Sequence, residues 1–204
     1  MATKPLGLAT LNWILESFLA SLVLVVIIVF QRDIRMALTY VGSQRRFFFF
    51  GKKNDSGAVL EEIAAAALYL AQHNIGALIV VERNVPLGDI IQGGVRLGAQ
   101  VSKELLGAIF WQGNPLHDGA AIIHGNTIAA AGAILPLSTL VQGKQDYGTR
   151  HRAALGVTEE TDAIAVVVSE ERGVITIAVR GKLSGGLDGT RLRRVLAKAM
   201  EEGR

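Results

Sequence analysis

The sequence predicts an α/β fold: a mixed β-sheet flanked by helices, preceded by one N-terminal transmembrane helix. Three observations carry this. Leu60, Ile63, Ala64, Ala67 and Ala71 repeat at helical spacing. Ala77 to Val81 is an unbroken apolar run between Gly76 and Glu82, the composition of a strand covered on both faces. From Leu6 to Phe30 only Glu16 is charged.

Taken in order, the first element is the apolar stretch. Its 25 residues would extend about 37 Å as a helix, against a hydrocarbon core of roughly 30 Å. Trp13 suits one interface. Glu16 is the costly residue inside lipid, tolerable near headgroups, against another helix or protonated. A buried amphipathic or dimerisation helix is the alternative. A cleaved signal peptide fits less well, because the run is long and no small-residue cleavage pattern follows Phe30.

Residues 1–31 are thus read as the span, 32–54 as a basic connector containing Phe47-Phe48-Phe49-Phe50, and 55–204 as the globular domain. The phenylalanines suit either a bilayer interface or a packed contact. Arg32, Arg35, Arg45, Arg46, Lys52 and Lys53 follow the span and Lys4 precedes it, so the domain is expected in the cytoplasm. Residues 1–54 hold seven Lys/Arg against Glu16 and Asp33, whereas 55–204 hold fourteen against sixteen acids. The basic excess belongs to the N-terminal segment, and a nucleic-acid face is not expected. The chain has no cysteine, which excludes disulfides and thiolate chemistry.

Within the domain, 57–73 is the first predicted helix and 77–81 the first strand. Val101, Leu105, Leu106 and Ile109 mark a second helix. Ala120–Ile123 and Thr127–Leu135 read as strands around His124-Gly125-Asn126, and a third helix starts near Thr149. Ala163–Val168 and Val174–Val179 read as paired strands, and Leu192, Val195, Leu196 and Ala199 as a closing helix after a cap-like Asp188-Gly189. Crossover-type and hairpin-type strands together imply a mixed sheet.

Two motifs carry chemistry. In Asn114-Pro115-Leu116-His117-Asp118-Gly119-Ala120 a carboxylate sits beside small residues, suited to a divalent cation near a closely approaching ligand; an aspartate before glycine is also an ordinary turn. In Gly148-Thr149-Arg150-His151-Arg152-Ala153-Ala154 a cap-like Thr149 precedes two permanent charges, suited to phosphate oxygens at a helix N-terminus. Residues two apart in a helix point to nearly opposite sides, so Arg150 and Arg152 are not expected to grip one phosphate. His117 is a candidate second metal ligand. His73 and His124 read as surface or turn residues.

These two segments resemble the signature motifs of the diadenylate cyclases. The likeness extends through Gly76–Arg83, Ser169-Glu170-Glu171-Arg172-Gly173 and, in the span, Asn12–Glu16 and Val29–Gln31, the last resembling the family's membrane-bound branch. That branch carries three N-terminal helices, and this chain has room for one. Tyr147 before Gly148 is a second difference.

The resemblance implies a diadenylate cyclase domain that condenses two ATP into cyclic di-AMP and two pyrophosphate, with Mg²⁺ or Mn²⁺ as cofactor. It implies catalytic roles for Asp118, Arg150 and Arg152. The metal would be held by Asp118 with His117 and Glu171. ATP would be bound by Leu78, Gly119, Ala120, Leu135, Thr149, Arg150, His151, Arg152 and Ser169. Because the product has two-fold symmetry, two domains must face each other, so a homodimer is expected for catalysis. Expected partners are ATP, the cell membrane that the single span crosses, and a regulatory membrane protein. A catalytically silent membrane-tethered sensor of ATP or cyclic di-AMP is the alternative, and a purely structural tethered domain a third reading.

Overall fold

A computed structural model describes residues 6–31, 34, 56–139 and 147–201. The chain divides into two compact units, residues 1–50 and 51–204. In the first, α1 (Leu6–Val29) is one helix of 24 residues, and its described side chains, from Trp13 onward, are all exposed. Counted on described residues alone, no helix is long and apolar enough to cross a membrane; the side chains of 6–12 and 20 fall outside that set. Of the basic connector only Ile34 is described, so Phe47–Phe50 lie outside the described residues.

The second unit is a seven-stranded mixed sheet between two layers of helices. In chain order its elements are α2 (Ser56–Gln72), β1 (Ala77–Val81), α3 (Gly88–Gly93), β2 (Val95–Gln100), α4 (Lys103–Phe110), β3 (Ala120–His124) and β4 (Thr127–Ala133). They continue with α5 (Thr149–Glu160), β5 (Ile164–Val168), β6 (Ile175–Val179), β7 (Lys182–Gly185) and α6 (Gly189–Glu201). The strand order is β2-β4-β3-β1-β5-β6-β7. Among the described residues only the β1–β3 pair is parallel, and the chain between those strands crosses over through α3, β2 and α4. The other pairs are antiparallel.

The apolar runs are explained by this placement. Successive strand side chains alternate faces. Ala77, Ile79 and Val81 of β1 join Ile63, Leu70, Leu106 and Leu192 in the core beneath α2, α4 and α6. Leu78 and Val80 join Ala153, Ala154 and Val157 of α5 on the opposite face. β5 divides likewise, Ile164, Val166 and Val168 facing one layer and Ala165 and Val167 the other. Each valine or isoleucine so buried contributes about 1.5–3 kcal/mol.

The predicted elements agree within a few residues. Ser102 caps α4 by accepting from the Leu105 amide at 3.2 Å, and Asp188 Oδ1 accepts from the Arg191 amide at 2.8 Å at the start of α6. The strand predicted to reach Leu135 leaves the sheet at Ala133. Three elements have no counterpart in the prediction. β2 and β7 are the two sheet edges, largely exposed, so burial imposes no apolar pattern on them. The six-residue α3 buries no residue fully.

Candidate active site

Sheet register brings distant segments to one place. Ala77 pairs with Val168, so Gly76 meets the Ser169-Glu170-Glu171 segment that leaves β5. β3 runs parallel to β1, which brings the entry of β3, with His117, Asp118 and Gly119, to the same end of the sheet. The exit of β4 and the N-terminus of α5 complete the walls. They enclose a cavity of about 730 Å³.

The entry to β3 is built by small residues and one asparagine. Gly119 has φ 139°, a conformation L side chains rarely adopt. A Cβ there would stand 2.6 Å from the Gly132 carbonyl carbon and 2.9 Å from the Ala133 oxygen. Asn114 shapes the preceding loop: its Oδ1 accepts from the Leu116 amide at 2.9 Å, and its Nδ2 donates to the Ala108 carbonyl at 2.8 Å. Its own carbonyl lies 2.6 Å from His117 Nδ1. A carbonyl only accepts, so Nδ1 carries the proton and, in the neutral ring, Nε2 keeps its lone pair. That is the tautomer a metal-ligating histidine needs.

At α5 one expectation is corrected. Gly148, with φ −72° and ψ −176°, is the capping residue and makes no side-chain cap; Thr149 is the first helical residue, not the cap. Gly148 takes an extended backbone at the entry to the helix, one residue earlier than expected, and Thr149 lies on the cavity wall. The first amide N–H groups of this helix lack intrahelical acceptors and favour an anion. Arg150 lines the cavity and its Nη1 donates to Glu170 Oε2 at 2.8 Å.

His151, between the two arginines, is buried and lies with its ring centroid 5.4 Å from that of Tyr147. Burial, and secondarily the positive charge of Arg172, holds its imidazole below the ordinary value, so it is neutral at pH 7. It offers a phosphate or ribose one donor and one acceptor rather than a charge. The other histidine with a perturbed value, His124, is exposed at the end of β3, where Glu82 binds its Nδ1 at 2.7 Å and raises it.

The exit of β4 is clamped to α5. A Cβ on Gly156 would overlap the Pro136 carbonyl oxygen, so the helix rests directly on that backbone. The Ser138 amide donates to the Arg152 carbonyl at 3.0 Å, and the Ser138 hydroxyl donates to Glu159 at 2.6 Å. This clamp sets Leu135 and Leu137 on the cavity wall.

Ten of the proposed site residues therefore line one cavity: Leu78, His117, Asp118, Gly119, Leu135, Thr149, Arg150, His151, Ser169 and Glu171. Two do not. Ala120 is the first residue of β3 and is fully buried; it shares the layer of Leu78 and Ala133, on the cavity's side of the sheet, but is covered by its neighbours there. Arg152 lies about 200° around α5 from Arg150; its Nε reaches the Ser138 carbonyl at 3.4 Å, so it braces the clamp. Among the described residues, moreover, no group of three or more His, Cys, Asp or Glu side chains is close enough to hold a metal. His117, Asp118 and Glu171 share the cavity wall without forming a ready-made ligand triad.

Residues given no site role from the sequence also line the cavity: Ile134 and Leu137, together with Tyr147, Glu170 and Arg172 from the quoted segments and their flank. The local signals were the i, i+4 spacing of Tyr147 and His151 and, for Glu170 and Arg172, their place in the segment Ser169–Gly173. Ile134 and Leu137 are placed by the clamp, which leaves no local trace.

Residues 64–183 match the family model described as DisA bacterial checkpoint controller nucleotide-binding, DAC. The chain is 41% identical over 198 residues to the cyclic di-AMP synthase CdaA of Bacillus subtilis, covering 96% of this chain and 72% of that protein. Among solved structures, a double mutant of DacA from Staphylococcus aureus superposes with a TM-score of 0.69 at 41% identity, covering 72% of this chain and 97% of that one. A hypothetical membrane spanning protein from Bacillus cereus gives a TM-score of 0.61 at 35% identity, covering 88% and 92%.

Proposed function

The chain belongs to the DAC family, the diadenylate cyclases, and on that premise we propose that it condenses two ATP into cyclic di-AMP and two pyrophosphate across a face-to-face dimer. The observation that carries the reading is the meeting of Asp118 with the N-terminus of α5 and Arg150 on one cavity that also has apolar walls.

Each step joins the 3′-oxygen of one ATP to the α-phosphorus of the other. The bond from that phosphorus to the bridging oxygen of pyrophosphate breaks, and the hydroxyl proton leaves to a base. The carboxylate of Asp118 is the group assigned to take it. Leu78 and Leu135 offer apolar surface to the adenine, while Thr149, the first amides of α5 and Arg150 hold triphosphate oxygens. Neutral His151 and Ser169 add hydrogen bonds without charge. Arg152 acts from behind, by holding the segment at Ser138 against the helix.

The donor set fits Mg²⁺ or Mn²⁺. Such cations are held by one or two protein ligands together with substrate phosphates and water, and Asp118, His117 Nε2 and Glu171 supply oxygen and nitrogen donors on the cavity wall. When bound, the cation neutralises phosphate charge and makes the 3′-hydroxyl more acidic.

Arg150→Ala and Arg152→Ala separate the two roles. Arg150→Ala is expected to lower kcat/KM for ATP at least about a hundredfold, through loss of charge-assisted bonds to the phosphates. Arg152→Ala should cost less turnover and lower Tm, because it loosens the clamp. Steady-state kinetics beside thermal melts decide it; equal kinetic losses with unchanged Tm would place Arg152 on substrate instead.

The reading as a whole is tested by incubating purified protein with ATP and either cation and analysing products by mass spectrometry. Cyclic di-AMP is expected, with specific activity falling on dilution as dimers dissociate. ATP binding without product at any concentration would favour the silent sensor, and a specific activity independent of dilution would remove the dimer.

The membrane-bound assignment is proposed on α1. Twenty-four residues extend about 36 Å, and Leu22 to Phe30 present an unbroken row of exposed apolar side chains. With the basic residues that follow, the span would leave the catalytic domain in the cytoplasm, available to a regulatory membrane partner. The protein should then remain in the membrane pellet after alkaline carbonate washing. Release into the supernatant would reduce α1 to a peripheral or interaction helix.

A further inference from the structure

Arg150 is the cation on the cavity wall that the proposed function gives to the triphosphate, and its guanidinium is already engaged. Nη1 lies 2.8 Å from Glu170 Oε2. A guanidinium has five N–H donors in a rigid fork, so this bond leaves most of them for phosphate oxygens while fixing the plane in which they lie. Glu170 reaches the arginine because β5 ends two residues earlier, at Val168 paired with Ala77. That pairing carries Gly76 beneath both side chains. A Cβ on Gly76 would overlap Arg150 Nη1 and stand 2.8 Å from both the Arg150 Cζ and Glu170 Oε2. Three separate parts of the chain therefore meet: the turn into β1, the first turn of α5 and the exit of β5.

The pair contributes little to folding. The Arg150 and Glu170 side chains are 24% and 55% exposed, and ion pairs this accessible add little to stability. The glycine is not demanded by its backbone either, since Gly76 is not among the positive-φ residues. What the absent side chain at 76 preserves is the position of one guanidinium.

We propose that Glu170 is a positioning residue for the cyclisation, holding the Arg150 guanidinium over Gly76 in the orientation that meets the phosphate oxygens. This rests on the reading of Arg150 as a triphosphate ligand. A carboxylate repels the triphosphate, so Glu170 is not itself a phosphate ligand, and its contribution to the reaction is through the geometry of Arg150.

The test uses the full chain and three variants. Glu170→Ala removes the partner, Glu170→Gln keeps an acceptor for Nη1, and Gly76→Ala pushes the pair aside while leaving both charges. Kd is measured with a non-hydrolysable ATP analogue, kcat by cyclic di-AMP formation, and Tm by melting. Glu170→Ala and Gly76→Ala should each lower kcat about tenfold, the order that a small misplacement of a catalytic group costs. In both, Kd should change less than threefold and Tm stay within a few degrees, and Glu170→Gln should recover most of kcat. Unchanged kcat in Glu170→Ala or Gly76→Ala overturns the proposal. So does a loss confined to Kd, or a Glu170→Gln as slow as Glu170→Ala, which would assign the carboxylate to metal or substrate. A wild-type chain that makes no cyclic di-AMP would instead defeat the assigned activity, and is distinguishable because these comparisons require an active parent.

Discussion

Asp118→Asn is expected to lower cyclic di-AMP synthesis by at least about a thousandfold while the protein folds and binds ATP. The substitution preserves size and replaces one carboxylate oxygen by an amide nitrogen, so the entry to β3 keeps its shape. Two functions disappear together. An amide does not accept the 3′-hydroxyl proton, a loss typically worth 10²–10⁴-fold in rate, and it is a poor ligand for a hard divalent cation. Such losses overlap, because both act on the same attacking oxygen, and they are not to be multiplied. The decisive comparison is product formation by mass spectrometry beside ATP-analogue affinity and a thermal melt. Turnover within tenfold of wild type would take Asp118 out of the reaction; a large drop in Tm would mean that the residue was serving the turn.

The second large effect falls one residue later and on stability. Gly119→Ala should destabilise the domain by about 3–5 kcal/mol, combining backbone strain at φ 139° with overpacking. The added methyl would meet backbone, at 2.6 Å from the Gly132 carbonyl carbon and 2.8 Å from its Cα. Gly132 lies in β4, with β2 on one side and β3 on the other, so it cannot retreat without breaking the ladder. Gly132→Ala makes the control: its φ is 64° and its nearest neighbour would be Leu116 Cα at 3.8 Å. It should cost about 1 kcal/mol from conformation alone. At roughly 2–4 °C per kcal/mol for a chain of this size, the two melts should separate by several degrees or more. Equal Tm values would mean that the Gly119–Gly132 contact relaxes freely.

Legibility in the sequence followed burial. β1, β3 and β5 occupy the middle of the sheet with helices on both faces, and that double covering wrote Ala77–Val81, Ala120–Ile123 and Ile164–Val168 as apolar runs. β2 and β7 have a free edge each, and nothing forces an apolar pattern on Val95–Gln100 or Lys182–Gly185. At the site, helical spacing alone was enough to separate Arg150 from Arg152, and Arg152 indeed turns toward Ser138. It was not enough to distinguish Gly148 from Thr149 as the cap, because both residue types are accepted there. Ala120 belongs to the same motif and the same sheet face as the cavity, yet its side chain is fully covered, which no local pattern foretells. The contact of Gly76 with Arg150 and Glu170 joins residues far apart in sequence, and no window of neighbouring residues contains it.

The clamp between Gly156 and Pro136 lies behind the cavity, on residues assigned no role in chemistry. Yet Leu135, on the wall assigned to the base, leaves from one side of it, and Arg150, assigned to the phosphates, sits on the helix at the other. The two jaws of the site are thus set by a single stop, as in a caliper. The spacing between those two walls is then set by the thickness of a missing methyl group, behind the cavity rather than on its surface.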